Sequence, residues 1–220
     1  MSGPVLTSPG RADAGRVEVA LLAALMFMLP LFEVPKNLLW AAWVAVSLAA
    51  WWRERAERRA SGGVPAGRRD WVWWDVAFAA LLMSALLAGI GVAEPGRTLG
   101  AAGDTLRMLT VPWLMSRRHY RFDQVLPVLW ATVAGTVVAT IWGFAALLMA
   151  TTPEFLELNS VGHVNHSSIY LAIALGGALA LALADARPRP LVLSLGAALL
   201  LGVALLVTSS RASVGACAVF

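Results

Sequence analysis

An all-helical bundle that crosses a membrane about seven times is the fold this sequence predicts. Of its 220 residues, 59% are hydrophobic and 14% charged, whereas about a quarter of a soluble domain is charged. Mean hydropathy is +0.73. Apolar runs of near-spanning length alternate with short polar segments that hold most of the arginines. About 20 apolar residues, rising about 1.5 Å each, cross a hydrocarbon core of about 30 Å, so little chain is left for a soluble domain. The net charge is +4, and 16 of the 17 basic residues are Arg. They lie in clusters between apolar runs instead of forming one continuous face, a pattern that sets membrane orientation and argues against nucleic-acid binding. A single cysteine, Cys217, excludes an internal disulfide and a multi-thiolate metal site.

The spans follow in order. Residues 1–16 form an amino-terminal tail, and Val17 to Phe32 reads as a retained first helix because no small-residue cleavage site follows it. Glu33, Pro35, Lys36 and Asn37 read as a tight polar turn, and Leu38 to Trp52 as the second span, ending in interfacial tryptophans. Arg53 to Asp70 carries six arginines and a Ser-Gly-Gly-Val-Pro break, the composition of a solvated loop. Trp71 to Val92 is the third span, and Glu94-Pro95-Gly96 marks a turn. The fourth span, Thr98 to Met115, carries Asp104 and Arg107 three apart on one helical face, where they can pair. Arg117, Arg118, His119 and Arg121 close it as a basic loop. Val125 to Ala150 is the fifth span, followed by the polar stretch Thr151 to His166, and Ser167 to Ala184 is the sixth. A proline-broken turn, Asp185 to Pro190, leads to the seventh, Leu191 to Val207, and Thr208 to Ser213 is polar again.

With the amino terminus and the 53–70 loop in the cytoplasm, the cytoplasmic segments hold 13 basic residues and the opposite side only Lys36, Arg97 and Arg211. That bias is the positive-inside signature, and it places the 151–166 loop and the 208–213 segment on the same outer face. The nine apolar residues Ala212 to Phe220 read as the start of an eighth span. The transmembrane domain, 17–220, is accordingly expected to be the amino-terminal part of a longer protein.

Two outer segments can carry chemistry. Between Leu158 and Tyr170 lie His163, His166, Asn159, Asn165, Ser160, Ser167 and Ser168, a concentration of hydrogen-bonding groups in an otherwise oily chain. The segment either binds something polar or caps span six, with Asn165 or Ser167 accepting backbone N–H bonds. His163 and His166 face alike on a helix, but the nearby Glu154 and Glu157 have no recognisable ligand spacing, so no metal is expected. Arg211 opposes the orientation rule. An anionic ligand would explain it, because guanidinium is a planar fork matched to phosphate oxygens and Thr208, Ser209 and Ser210 add hydroxyls. Pairing with Glu94, Glu154 or Glu157, or contact with lipid headgroups, would explain it equally. Phosphate-binding glycine loops, His-Glu-x-x-His, cysteine pairs and inverted repeats are all missing from the sequence.

Two pieces, Gly162-His163-Val164-Asn165-His166-Ser167-Ser168-Ile169-Tyr170-Leu171 and Leu206-Val207-Thr208-Ser209-Ser210-Arg211-Ala212-Ser213-Val214-Gly215, resemble the O-antigen ligase family. That superfamily of membrane glycosyltransferases shows a His/Pro-Asn element before a span and a Thr-x-Ser-Arg-Gly/Ala element about forty residues later. The resemblance implies an inner-membrane, metal-independent enzyme, with no cofactor, that works on the periplasmic face. Its donor would be a glycan on undecaprenyl pyrophosphate, and its acceptor in a ligase a sugar hydroxyl of lipid A-core. Arg211 matches the arginine that engages the donor pyrophosphate, as the catalytic and substrate-binding residue, with Ser210 beside it. His163, Asn165 and His166 match the other element as site lining. The family's catalytic histidine lies in a later outer loop, past residue 220, so this stretch alone is expected to be inactive. An O-antigen polymerase or a protein O-oligosaccharyltransferase of the same superfamily would differ in acceptor. A lipid-linked glycan transporter would need a polar path through the spans, which only Asp104 and Arg107 offer.

Overall fold

A computed structural model of the chain describes residues 15–60, 73–87, 95–118, 120–149, 156–158, 160, 164–184 and 187–208. Every regular element among them is α-helical: α1 (Arg16–Met28), α2 (Glu33–Ala60), α3 (Trp73–Leu87), α4 (Pro95–Arg117), α5 (Phe122–Met149), α6 (Val164–Ala184) and α7 (Pro188–Val207). Each expected span is occupied by a helix, but among the described residues only α5, α6 and α7 are long and apolar enough to cross a membrane, fewer than the seven expected. The reasons are local. The 13 residues of α1 reach only about 20 Å. The last two turns of α2 are rich in arginine, and α4 carries Gly100, Gly103, Asp104, Arg107 and Pro112.

Several boundaries differ from the sequence reading. The turn between the first two spans lies at Leu29 to Phe32, and Glu33, Lys36 and Asn37 belong to α2. Arg53 to Ala60, expected in a solvated loop, continues α2 by two turns. Helices α4 and α7 begin at Pro95 and Pro188, inside the segments expected as turns. One physical reason covers the prolines. Pro35, Pro95, Pro188 and Pro190 all stand within the first turn of a helix, where an N–H would have no intrahelical partner and the fixed φ suits the helix.

The chain divides into two compact units, one of residues 1–18 and 41–121, the other of 19–40 and 122–220. In the second, α6 and α7 pack along their lengths, with α5 against both. The 185–187 connection is short, which makes α6 and α7 an antiparallel hairpin. Small residues line the contact: Ala174 and Ala178 on α6, Ala198 and Ala204 on α7, all buried together with Leu171, Leu181, Leu201 and Leu205. Small side chains let helices approach closely where lipid provides no hydrophobic drive for association. The outward faces are apolar as well, with Leu183 90%, Leu148 86% and Leu199 72% exposed. Such surfaces are costly in water and match hydrocarbon. The chain is therefore an all-helical membrane protein with three clear spans among its described residues.

One close approach depends on glycine. A Cβ on Gly135 of α5 would lie 2.7 Å from the Phe27 Cα of α1, with the Phe27 carbonyl also in the way. Backbone cannot step aside as a side-chain end can. Gly135→Ala is expected to lower stability by about 1–3 kcal/mol, whereas Gly176→Ala, facing open space, should be neutral or stabilising by up to about 1 kcal/mol. Thermal unfolding of the two purified variants in detergent checks the difference.

Candidate functional site

The segment that precedes α6 is tied down on both sides. Leu156 and Leu158 are buried, and Leu156 packs against Gly143 of α5. The Leu158 N–H donates to Ser167 Oγ at 2.9 Å. Ser167 thus accepts from the incoming chain instead of capping its own helix. Two residues on, the Ser160 N–H donates to the Pro30 carbonyl at 3.4 Å. Lys36 Nζ donates to the Ser160 carbonyl at 3.2 Å and to its hydroxyl oxygen at 3.0 Å. The hydroxyl in turn donates to Glu33 Oε2 at 3.3 Å, and Glu33 pairs with Lys36 at 2.5 Å. Asn37 Nδ2 donates to the same carboxylate at 3.4 Å. The Lys36 hydrogen bond, against a smaller opposing effect of burial, holds the Glu33 carboxyl below its ordinary range, with the Lys36 charge, Asn37 and Ser160 assisting. Lys36, expected from the sequence on the outer side, has a local structural partner here.

Asn165 and His166 are the second and third residues of α6, and the His166 side chain is exposed while Ser167 and Ser168 are buried. His163, Ser210 and Arg211 lie outside the described residues. The hairpin nevertheless fixes one relation. α6 has 21 residues and α7 has 20, so the start of α6 and the end of α7 fall at the same end of the pair. Thr208, three residues before Arg211, is buried there and donates its hydroxyl to the Leu205 carbonyl at 2.6 Å, closing the last turn of α7.

A second polar cluster, in the other unit, escaped the sequence reading. Arg118, taken there as part of a short basic loop, is 5% exposed. Its Nη2 lies 2.9 Å from Glu18 Oε2, its Nε donates to both Glu18 oxygens, and its Nη1 pairs with Glu54. Glu18 also accepts from the Ser47 hydroxyl at 2.9 Å and the Tyr120 hydroxyl at 2.8 Å. Burial first, and then the Glu18 carboxylate, push the Tyr120 phenol above its ordinary range, so it stays a neutral donor. Arg117 pairs with buried Asp75, which accepts from Trp113 Nε1 at 2.8 Å. Asp104 and Arg107 also pair, on the exposed part of α4. The missed signal was two lone carboxylates, Glu18 and Asp75, each near the start of an apolar run.

No family model matches the chain, and no curated protein or solved structure matches it.

Two outcomes are expected. Arg118→Met leaves Glu18 buried without its cation and should cost about 3–5 kcal/mol, lowering the unfolding midpoint in detergent, and adding Glu18→Gln should recover part of the loss. Glu33 ionises more readily folded than free, so its contribution is complete at neutral pH and is lost as pH falls below the usual glutamate value of about 4.3. Exchange protection at the Ser160 amide, corrected for intrinsic rate, should therefore drop on acidification to about pH 3.5 and be insensitive to pH in Glu33→Gln.

Proposed function

We propose that the chain belongs to a glycosyltransferase similar to the O-antigen ligases, one that moves a glycan from undecaprenyl pyrophosphate to a sugar hydroxyl of lipid A-core at the periplasmic face of the bacterial inner membrane. The observation that carries this reading is the antiparallel α6–α7 hairpin. Val164, Asn165 and His166 open α6, and Thr208 follows α7 at the same end of the pair; in sequence, His163 directly precedes the first group and Ser209, Ser210 and Arg211 directly follow the second. The two elements are 46 residues apart in sequence from Asn165 to Arg211, and helices of nearly equal length between them support a common level in the membrane.

In the proposed reaction the acceptor oxygen attacks the anomeric carbon, and the bond from that carbon to the pyrophosphate oxygen breaks with inversion. Negative charge grows on the departing pyrophosphate. Arg211 stabilises it with a fixed cation and paired donors, the kind of preorganised electrostatic aid that is strongest in a water-poor site. Ser210 adds a hydroxyl donor, and His163, Asn165 and His166 line the glycan path. The acceptor proton leaves to a base outside the residues named here. A polymerase or a protein O-oligosaccharyltransferase would use the same donor chemistry with another acceptor.

Replacing Arg211 by Ala and by Lys in a strain that lacks the native protein tests the reading. Both variants should reach normal membrane levels, lose at least about tenfold in glycan attached to lipid A-core, and accumulate the lipid-linked donor, because a lysine point charge lacks the bidentate fork. Normal ligation by Arg211→Ala would overturn the assignment in favour of a structural or lipid-headgroup role for that arginine.

A further inference from the structure

Within the unit of residues 19–40 and 122–220, Lys36 ties the start of α2 to the segment that enters α6. Its side chain is 21% exposed. An ammonium has three N–H groups and accepts nothing. Those of Lys36 meet the Ser160 carbonyl at 3.2 Å, the Ser160 hydroxyl oxygen at 3.0 Å and Glu33 Oε2 at 2.5 Å. All three donors are engaged inside the protein, so Lys36 has none left for a phosphate or a sugar. It acts on the chain and not on a substrate.

Without Lys36, Ser160 would keep its N–H bond to the Pro30 carbonyl at 3.4 Å and its hydroxyl bond to Glu33 at 3.3 Å, both beyond the length of ordinary hydrogen bonds. Lys36 is therefore the main tether of Ser160. Just before it, the Leu158 N–H is held by Ser167 Oγ at 2.9 Å, and just after it Val164 begins α6. Four residues separate Ser160 from Val164 in sequence, a reach of at most about 14 Å. His163 lies between these two fixed points in sequence, and Asn165 and His166 follow in the first turn of α6. We infer that Lys36 is a positioning residue for the glycan path, acting through Ser160 to hold the entry to α6 in the arrangement that receives the lipid-linked donor. This role rests on the glycosyltransferase reading above. Releasing the segment leaves untouched the cation that Arg211 presents to the departing pyrophosphate, so the loss falls on binding. A segment in its competent arrangement about a tenth of the time lowers apparent affinity about tenfold. Binding lost equally from ground and transition states raises KM and leaves kcat unchanged.

Steady-state transfer by the purified full-length protein, from an undecaprenyl-pyrophosphate-linked glycan to lipid A-core, tests this. Lys36→Met should raise the KM for the lipid-linked donor about tenfold, with kcat within about twofold of the parent. Lys36→Arg keeps a cation and enough donors for all three acceptors, and should restore most of the affinity. Ser160→Ala should raise KM less, because its carbonyl still accepts, and the double variant should match Lys36→Met alone instead of multiplying the two effects. Where Lys36→Met fails to accumulate, Lys36→Gln, which keeps two donors and loses the charge, takes its place with the same expected split. A parental KM in the Lys36 variant, a fall in kcat at unchanged KM, or multiplying effects in the double variant would each overturn the role and leave the glycosyltransferase reading standing. No transfer by the parent protein would overturn that reading, and this role with it.

Discussion

An ionised side chain buried away from water must bring its partner with it, and the Glu18–Arg118 pair is where this chain meets that demand. Both side chains are almost wholly buried. Around them gather Ser47 and Glu54 from α2 and Tyr120 from the connection after α4. A buried pair of this kind adds little net stability compared with apolar residues of the same size, but removing one partner is strongly destabilising. Its structural consequence is therefore register. The first turn of α1, the last part of α2 and the end of α4 must arrive at one level, or a charge is stranded. The Asp75–Arg117–Trp113 set applies the same rule to α3. These two sets account for an arginine doublet that, by composition alone, looked like an orientation signal in solvent.

The existence, type and order of the helices were legible because hydrophobic run length is a strong signal in a membrane protein. Their ends were less so. Proline was read as a turn marker at residues 35, 95, 188 and 190, whereas in the first turn of a helix it is compatible with the fold. The arginine run from Arg53 was read as loop, yet arginine is a good helix former and charge does not stop a helix that has reached water. Fewer clear spans stand among the described residues than were expected, because α1 is short and α4 is punctuated by glycine and charge.

Polar clusters were legible as local composition and illegible as contacts. The His163–Ser168 concentration stood out and indeed leads into α6, but the bond from Lys36 to Ser160 joins residues 124 apart, and no periodicity reports such a pairing. Glu18 and Asp75 were passed over because each is a single polar residue in an apolar run. Single carboxylates of this kind are the ones most worth marking in a membrane sequence. In the proposed glycosyltransferase the α1–α2 turn would hold the incoming segment of α6 through Ser160, leaving the next residues to line the donor.

The outer face expected for the 151–166 and 208–213 segments is open to direct labelling. In a chain whose one cysteine is replaced, Cys217→Ser, single substitutions Glu157→Cys, Ser209→Cys and Arg59→Cys can be exposed to a membrane-impermeant maleimide in intact cells. Positions 157 and 209 should label from outside, and position 59 only after lysis. Labelling of positions 157 and 209 from opposite sides would contradict the shared outer face, and with it the pairing of the His-Asn-His and Ser-Arg elements in one site.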